Sequence, residues 1–443
     1  MNKKREKITD EISISKRTAE EIERRVTNLP LFQEEIKRSL NKDTSELLNL
    51  IMAGTVALES SDMHIEPTEE DAKIRIRIDG VLQDVARIDK KLYGNIVSRI
   101  KLLSGVKLNV DNKPQDGSFS IVYPGEREDE RRAIEIRMSA LPSEEGEAIV
   151  MRFLDPQNLI SLDQLGLRKE LLELFKSEIR KPNGMIIVTG PTGSGKTTSL
   201  YAFLKHIKNP GVKIITIEDP IEYHLDGISQ TQVSPDSGYD FASGLKAIVR
   251  QDPDAILVGE IRDFETANIG LQAALTGHVV FSTLHTNDAA GAIPRLQALG
   301  EKPVNIAPAL NIIIAQRLVR KLCKRCKLET TIEEVDKELY EKLRSALDNV
   351  ADKLETTFFP ESPLYQKKGC KDCNFTGYSG RLGLFEAIPV DEEIEDLIFS
   401  NPSTSEIRKK AIEKGMVTLK QDGILKALQG ETSLDEVDRV VGL

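Results

Sequence analysis

The chain has 443 residues, enough for roughly two to four domains with a sizeable core, and its hydrophobic share of 40% marks a globular rather than a disordered protein. A formal net charge of −10, with 30% charged residues, argues against a general nucleic-acid binder, which carries a basic excess or a strong basic patch. The opening MNKKREKITDEISISKR has no apolar signal-peptide core, and no stretch reaches the roughly 18 apolar residues of a spanning helix, so the expectation is a cytoplasmic protein with reduced thiols.

In chain order, Thr18–Leu40 reads as one amphipathic helix interrupted near Pro30, with a frayed tail as the bland alternative. Ile74 to Ile78 alternates isoleucine with arginine, the pattern of a strand with one solvated face. Met185–Leu200, MIIVTGPTGSGKTTSL, is an apolar β-branched strand, a glycine-rich loop and the start of a helix. Its loop satisfies Gly-x-x-x-x-Gly-Lys-Thr at Gly190, Gly195, Lys196 and Thr197, with Pro191, Thr192, Gly193, Ser194 and Thr198 completing it. The glycines let backbone N–H groups turn onto phosphates at the positive end of a helix. Lys196 can then reach the β- and γ-phosphates of ATP, and the Thr197 hydroxyl can ligate Mg²⁺.

Three further apolar runs read as neighbouring strands of a parallel sheet: Val212–Pro220, Ala255–Asp263 and His278–Asp288. Their polar ends supply Glu218, Asp219, Glu222, Glu260, Asp263 and His285 at the edge where such sheets bind ligands. Glu218 is the candidate for polarising the attacking water and Glu260 for holding Mg²⁺, while His285 can hydrogen-bond the γ-phosphate. A strand-end acid can instead cap the next helix, and His285 can be a satisfied structural histidine, the reading preferred for His278.

All four cysteines fall in two Cys-x-x-Cys pairs, Cys323 with Cys326 and Cys370 with Cys373. In a reducing compartment this pattern indicates a four-thiolate Zn²⁺ site more than a disulfide framework, with four inert buried thiols as the alternative. Between the pairs, Glu333–Leu354 has helical spacing, and Gly369, Gly377 and Gly380 permit tight turns around the second pair. The C-terminal Gly423–Leu443 reads as helical.

These motifs resemble the secretion ATPase superfamily of type II secretion and type IV pilus assembly over nearly everything from Asp43 to Leu443. Four blocks carry the resemblance: GPTGSGKTT (Gly190–Thr198), ITIEDPIEY (Ile215–Tyr223), RQDPDAILVGEIRD (Arg250–Asp263) and TGHVVFSTLHTND (Thr276–Asp288). Upstream, Glu59–Pro67, Ile74–Leu82 and Lys113–Ser120 resemble pieces of the family's PAS-like domain. The resemblance implies arginines that close over the nucleotide, with Arg77 and Arg250 as candidates, Arg137 and Arg152 as weaker ones, and Lys246 standing where many relatives carry arginine. A solvated face is the bland reading of all four arginines. The tetracysteine insert implies the secretion and pilus-extension branch rather than the retraction motors.

The expected fold is therefore α/β: a charged helical segment (1–43), a PAS-like domain (44–155), a linker (156–165), a RecA-like P-loop ATPase core with a parallel-rich sheet (166–320), a tetracysteine zinc subdomain (321–380) and a C-terminal helical part (381–443). By resemblance the chain is a homo-hexameric ATP hydrolase using ATP, Mg²⁺ and Zn²⁺. It would sit at the inner face of the cytoplasmic membrane through an inner-membrane platform protein, with no nucleic-acid partner. A type II secretion motor is the first reading, a type IV pilus or competence pseudopilus motor the alternative. A RecA-like nucleic-acid motor and a scaffold with a spent ATPase site are rivals.

Overall fold

The computed structural model describes residues 11–124, 131–331, 337–347 and 362–443. Packing divides the chain into two units, residues 1–158 with 368–379 and residues 159–367 with 380–443.

In the first unit β1 (Glu11–Ser13), β2 (Asp62–Pro67), β3 (Asp71–Ile78), β4 (Val81–Asp89), β5 (Gln115–Pro124), β6 (Arg131–Ser143) and β7 (Gly146–Leu154) form one sheet, ordered β1-β5-β6-β7-β2-β3-β4. β1 is parallel to β5 and every other pair is antiparallel. The period-two pattern shows why β3 forms: Ala72, Ile74, Ile76 and Ile78 are buried while Lys73, Arg75 and Arg77 stay partly exposed. Asp79 and Gly80, both left-handed at φ 50° and 84°, make the two-residue turn into β4 that an Asp-Gly pair favours. Leu47, Leu48 and Ile51 of the helix Thr44–Ala57, and Ile96 and Ile100 of the helix Lys90–Leu103, share one core with the inward strand residues.

The stretch expected to be one interrupted helix forms two, Lys16–Arg25 and Leu29–Ser39. Pro30 lies in the first turn of the second, where a missing N–H costs nothing, and the Asn28 side chain accepts the Leu31 N–H at 3.1 Å. Ile22, Val26, Phe32 and Ile36 are buried in the same core, so this segment is packed rather than frayed. Before it, the alternation of buried Ile12 and Ile14 with polar neighbours makes β1 a strand rather than part of a helix.

The second unit carries β8 (Gly184–Thr189), β9 (Ile214–Glu218), β10 (Ser229–Gln232), β11 (Ala255–Val258), β12 (Val279–Leu284), β13 (Leu310–Leu322) and, beyond the two-stranded β14 (Leu328–Thr331) and β15 (Pro363–Gln366), β16 (Tyr378–Pro389). The large sheet is ordered β10-β9-β11-β12-β8-β13-β16, and its pairs from β10 through β13 are parallel. Successive residues of one strand enter opposite cores. Met185, Ile187, Ile215, Ile217 and Val258 pack with Ala267 and Leu271, while Ile186, Val188, Ile214, Leu257 and Phe281 pack with Phe175, Leu200 and Phe203. A sheet covered on both faces needs continuous apolar runs, which is what the sequence shows. The expected strands are shorter than the runs that announced them, because the polar ends leave the sheet as loops.

In the inter-cysteine region, residues 337–347 are helical, and the rest of the helix expected over 333–354 lies outside the described residues. The C-terminal helices Leu419–Leu428 and Leu434–Val441 are separated at Gly430. The last is tied to β13 by Arg320, whose Nη2 lies 2.6 Å from the buried Glu436 carboxylate. Among the described residues no helix is long and apolar enough to cross a membrane.

Candidate active site

Because β8, β9, β11, β12 and β13 run parallel, their carboxyl ends open on one edge of the sheet. The glycine-rich loop leaves β8 at that edge and enters the helix Lys196–Ile207. Gly190, Gly193 and Gly195 have φ of 150°, 79° and 86°. A Cβ on Gly190 would lie 2.5 Å from the Gln316 carbonyl oxygen and one on Gly195 2.9 Å from the Gln316 amide, so the close approach of β13 also requires glycine. Lys196 is 9% exposed, and its Nζ donates to the carbonyls of Gly190 (2.8 Å) and Pro191 (3.2 Å). Burial holds its pKa below the ordinary lysine value, Glu260 opposes the shift and Arg317 adds to it. Ser194 is buried with a hydroxyl that meets no partner among the described residues, and Pro191 and Thr192 are exposed. Thr197 and Thr198 are half-buried in the first helical turn.

Glu260 follows β11 and His285 follows β12. The His285 Nε2 lies 3.3 Å from one Glu260 oxygen, and the Arg262 guanidinium lies 2.6 Å from the other. The structure thus brings Glu260 and His285 together, with Glu260 within electrostatic reach of Lys196. Thr197 and Glu260 offer a hydroxyl and a carboxylate, hard oxygen donors of the kind Mg²⁺ takes.

Glu218 ends β9 and is 3% exposed. It is held by donors the sequence did not single out: Tyr201 from the helix after the glycine-rich loop, Thr216 at 2.5 Å and the Gln230 amide at 3.2 Å. Burial, reinforced by Glu218, pushes the Tyr201 hydroxyl far above its ordinary range, so it stays a donor. With β12 and β11 intervening, Glu218 stands about 14 Å from β8 along the sheet at the usual strand spacing.

Other strand-end groups have structural work. Asp263 accepts the Thr266 N–H at 2.8 Å and caps the helix Phe264–Leu275, and the His278 ring Nδ1 lies 3.0 Å from the Ala273 carbonyl oxygen. Arg250, exposed, closes the helix Phe241–Val249, and Lys246 of that helix pairs with Glu265. Arg250 precedes β11, whose first residue is level with the start of β12 and so with Gly184, the end of β8 remote from the loop. Within one chain, then, Arg250 is at the opposite edge from the phosphate loop.

In the first unit, Arg137, Arg152, Asp62 and Arg77 form one row across β6, β7, β2 and β3. Asp62 takes Arg152 at 3.1 Å and Arg77 at 3.3 Å, and Arg77 also donates to the Gly80 carbonyl. Arg137 lies 3.4 Å from Glu135.

The four cysteine sulfurs all lie within 4.8 Å of one another, and Cys370 Sγ is 3.8 Å from Cys373 Sγ. That separation is the edge, about 3.8 Å, of a tetrahedron with metal–sulfur bonds of about 2.3 Å. The N–H groups of Cys370 and Gly377 donate to Cys373 Sγ at 3.2 and 3.3 Å, which favours a thiolate there. Gly369, Gly377 and Gly380 all have positive φ, and a Cβ on Gly369 would sit 2.7 Å from the Phe375 carbonyl.

Known proteins resemble this chain along most of its length. A family model described as "Type II/IV secretion system protein" matches residues 38–439. The type IV pilus assembly ATPase PilB of Myxococcus xanthus is 40% identical over 97% of this chain and 72% of its own length. The type II secretion system protein E of Aeromonas hydrophila is 43% identical over 89% of this chain and 75% of its own. The solved Legionella pneumophila ATPase DotB shares the fold, with a TM-score of 0.63 at 22% identity over 90% of this chain and 96% of that one. The chain belongs to the type II/IV secretion system protein family.

Proposed function

We propose that the chain is the ATP-hydrolysing motor of a type II secretion machine, driving pilin-like subunits out of the inner membrane. The observation that carries this is the convergence, on one sheet edge of a chain from this family, of the glycine-rich loop, buried Lys196 and the Glu260–His285 pair.

In this reading the loop N–H groups, with Lys196, hold the β- and γ-phosphates of ATP. Releasing Lys196 from the Gly190 and Pro191 carbonyls lets it do so. Thr197 and Glu260 would hold Mg²⁺, which supplies charge neutralisation at the phosphates. Glu218 takes a proton as water attacks the γ-phosphorus and the bond to the β-phosphate oxygen breaks. His285, paired with Glu260, would report the γ-phosphate to the loop after β12. The four cysteines would hold a structural Zn²⁺, which would supply cross-links that steady their segment. We further propose a homo-hexamer working at the cytoplasmic face against a membrane platform protein, in which Arg250, Arg77 and the other arginines of the row act on a neighbouring copy's nucleotide.

Similarity to the pilus assembly ATPase over 97% of the chain supports a second reading, type IV pilus extension. The experiment that separates them is capture from native membranes with the Glu218→Gln protein loaded with ATP. Secretion components co-purifying with a polytopic platform protein support the first reading, and pilus alignment or uptake proteins the second. ATPase stimulation by DNA, with no membrane protein recovered, would overturn both.

A further inference from the structure

A cation absent from the sequence motifs stands beside the phosphate loop. Ala315 of β13 is paired with Thr189, so the next residues, Gln316 and Arg317, run alongside Gly190 as the loop begins. A Cβ on Gly190 would lie 3.2 Å from Arg317 Nη1, which places the guanidinium against the first glycine of the loop. Arg317 Nη1 donates to the Gln316 carbonyl at 3.1 Å and Nη2 to the Asn287 carbonyl at 2.6 Å. Among the described residues these neutral oxygens are its hydrogen-bond partners, and no carboxylate lies within ion-pair distance. A guanidinium offers five N–H donors, so most of its donor capacity remains.

A half-buried arginine without an ion partner is costly unless something anionic repays it. Here it stands within electrostatic reach of Lys196, and burial depresses both cations; the Glu386 and Asp288 carboxylates, beyond ion-pair distance, and Glu260 on the lysine oppose this only in part. The buried, unpartnered Ser194 hydroxyl points to the same place, 2.7 Å from where a Gly190 Cβ would be. Two cations and an unsatisfied hydroxyl around one glycine turn describe a polyanion site with one more contact than the loop motif supplies. Asn287 lies two residues after His285, so Arg317 also bridges the phosphate loop to the histidine loop.

We propose that Arg317 is a further phosphate-binding residue of this site, joining Lys196 on the nucleotide while its Asn287 bond ties the histidine loop to phosphate occupancy. The proposal rests on the nucleotide reading above. Its test is titration of the full-length protein with Mg-ADP and Mg-ATP, for wild type, Arg317→Ala, Arg317→Lys and Arg317→Gln, with thermal unfolding of each nucleotide-free protein alongside. Loss of a hydrogen bond to a charged group predicts roughly 10- to 100-fold weaker binding of both nucleotides by the alanine variant. The lysine variant should recover part of this, since it keeps the charge without the fork. Gln keeps an amide donor for the Asn287 carbonyl without the charge. If the alanine variant does not fold, a folded glutamine variant with the same loss carries the proposal. A folded alanine or glutamine variant binding ADP within about twofold of wild type, a change too small for a lost charged contact, would overturn it. Wild type that binds neither nucleotide would overturn the nucleotide reading itself, and with it this proposal.

Discussion

Replacing Glu218 by glutamine tests the chemistry most directly. The carboxylate has about four acceptor positions. Tyr201, Thr216 and Gln230 occupy three of them, leaving one for a water. Glutamine of the same shape turns one oxygen into a donor. If that nitrogen faces Tyr201, the hydroxyl can rotate and accept, whereas facing Thr216 and the Gln230 amide it opposes an N–H donor that cannot. The side chain should therefore settle with its amide toward Tyr201. The cost is that of exchanging charge-assisted for neutral hydrogen bonds, about 1–2 kcal/mol of stability. Turnover should fall much further, about 100- to 10,000-fold, because the proton acceptor is gone, while ATP affinity changes only a few-fold. Phosphate release by the purified protein, with nucleotide titration and thermal unfolding alongside, measures all three. A folded variant that binds ATP and turns over within about threefold of wild type would rule Glu218 out as the base, since loss of a working general base costs at least about 100-fold. Glu218 would then be the tether that holds the helix Lys196–Ile207 through Tyr201, a role consistent with its place two strands beyond β12.

Other expectations follow from the same structure. Purified protein should contain about one equivalent of zinc by elemental analysis, and Cys373→Ser should lose it, because the four sulfurs lie within 4.8 Å of one another, close enough to share one ion; a metal content well below that in wild type would return the cysteines to inert thiols. Burial works to raise the Glu436 pKa, but the hydrogen bonds from Arg439 and Arg320 outweigh it and bring it down to about 2. A folded pKa below the unfolded value stabilises above the unfolded pKa and fades as pH falls through the folded one. Wild type should therefore lose about 3 kcal/mol between pH 4.5 and 2 through this group, and denaturant unfolding of Glu436→Gln should show that much less pH dependence over the window. Gly54→Ala would push a Cβ into the buried Phe32 ring, and should cost about 1–3 kcal/mol or more in a melting experiment.

Features whose physics is local are legible in the chain without its fold. The glycine-rich loop needs positive φ at Gly190, Gly193 and Gly195, and only a few residue types tolerate it, so the motif announces its own geometry. A sheet buried on both faces needs unbroken apolar runs, so β8, β9, β11 and β12 are visible as such. Two Cys-x-x-Cys pairs likewise specify a thiolate site without saying how chain segments over forty residues apart meet. Long-range order settled the rest. Nothing local states that β9 lies beyond β11 and β12 rather than beside β8, yet that order decides how far Glu218 stands from the phosphate loop. Tyr201, Gln230 and Arg317 are ordinary residues in a helix and two strands, and become site residues only because those elements converge. Arg250, next to an acidic block in sequence, is carried to the opposite sheet edge by the direction of β11. Pro30 is ambiguous for the same reason: the residue that breaks a helix interior is acceptable in a first turn, and which applies was decided by the Asn28 cap and the core that takes up Phe32 and Ile36.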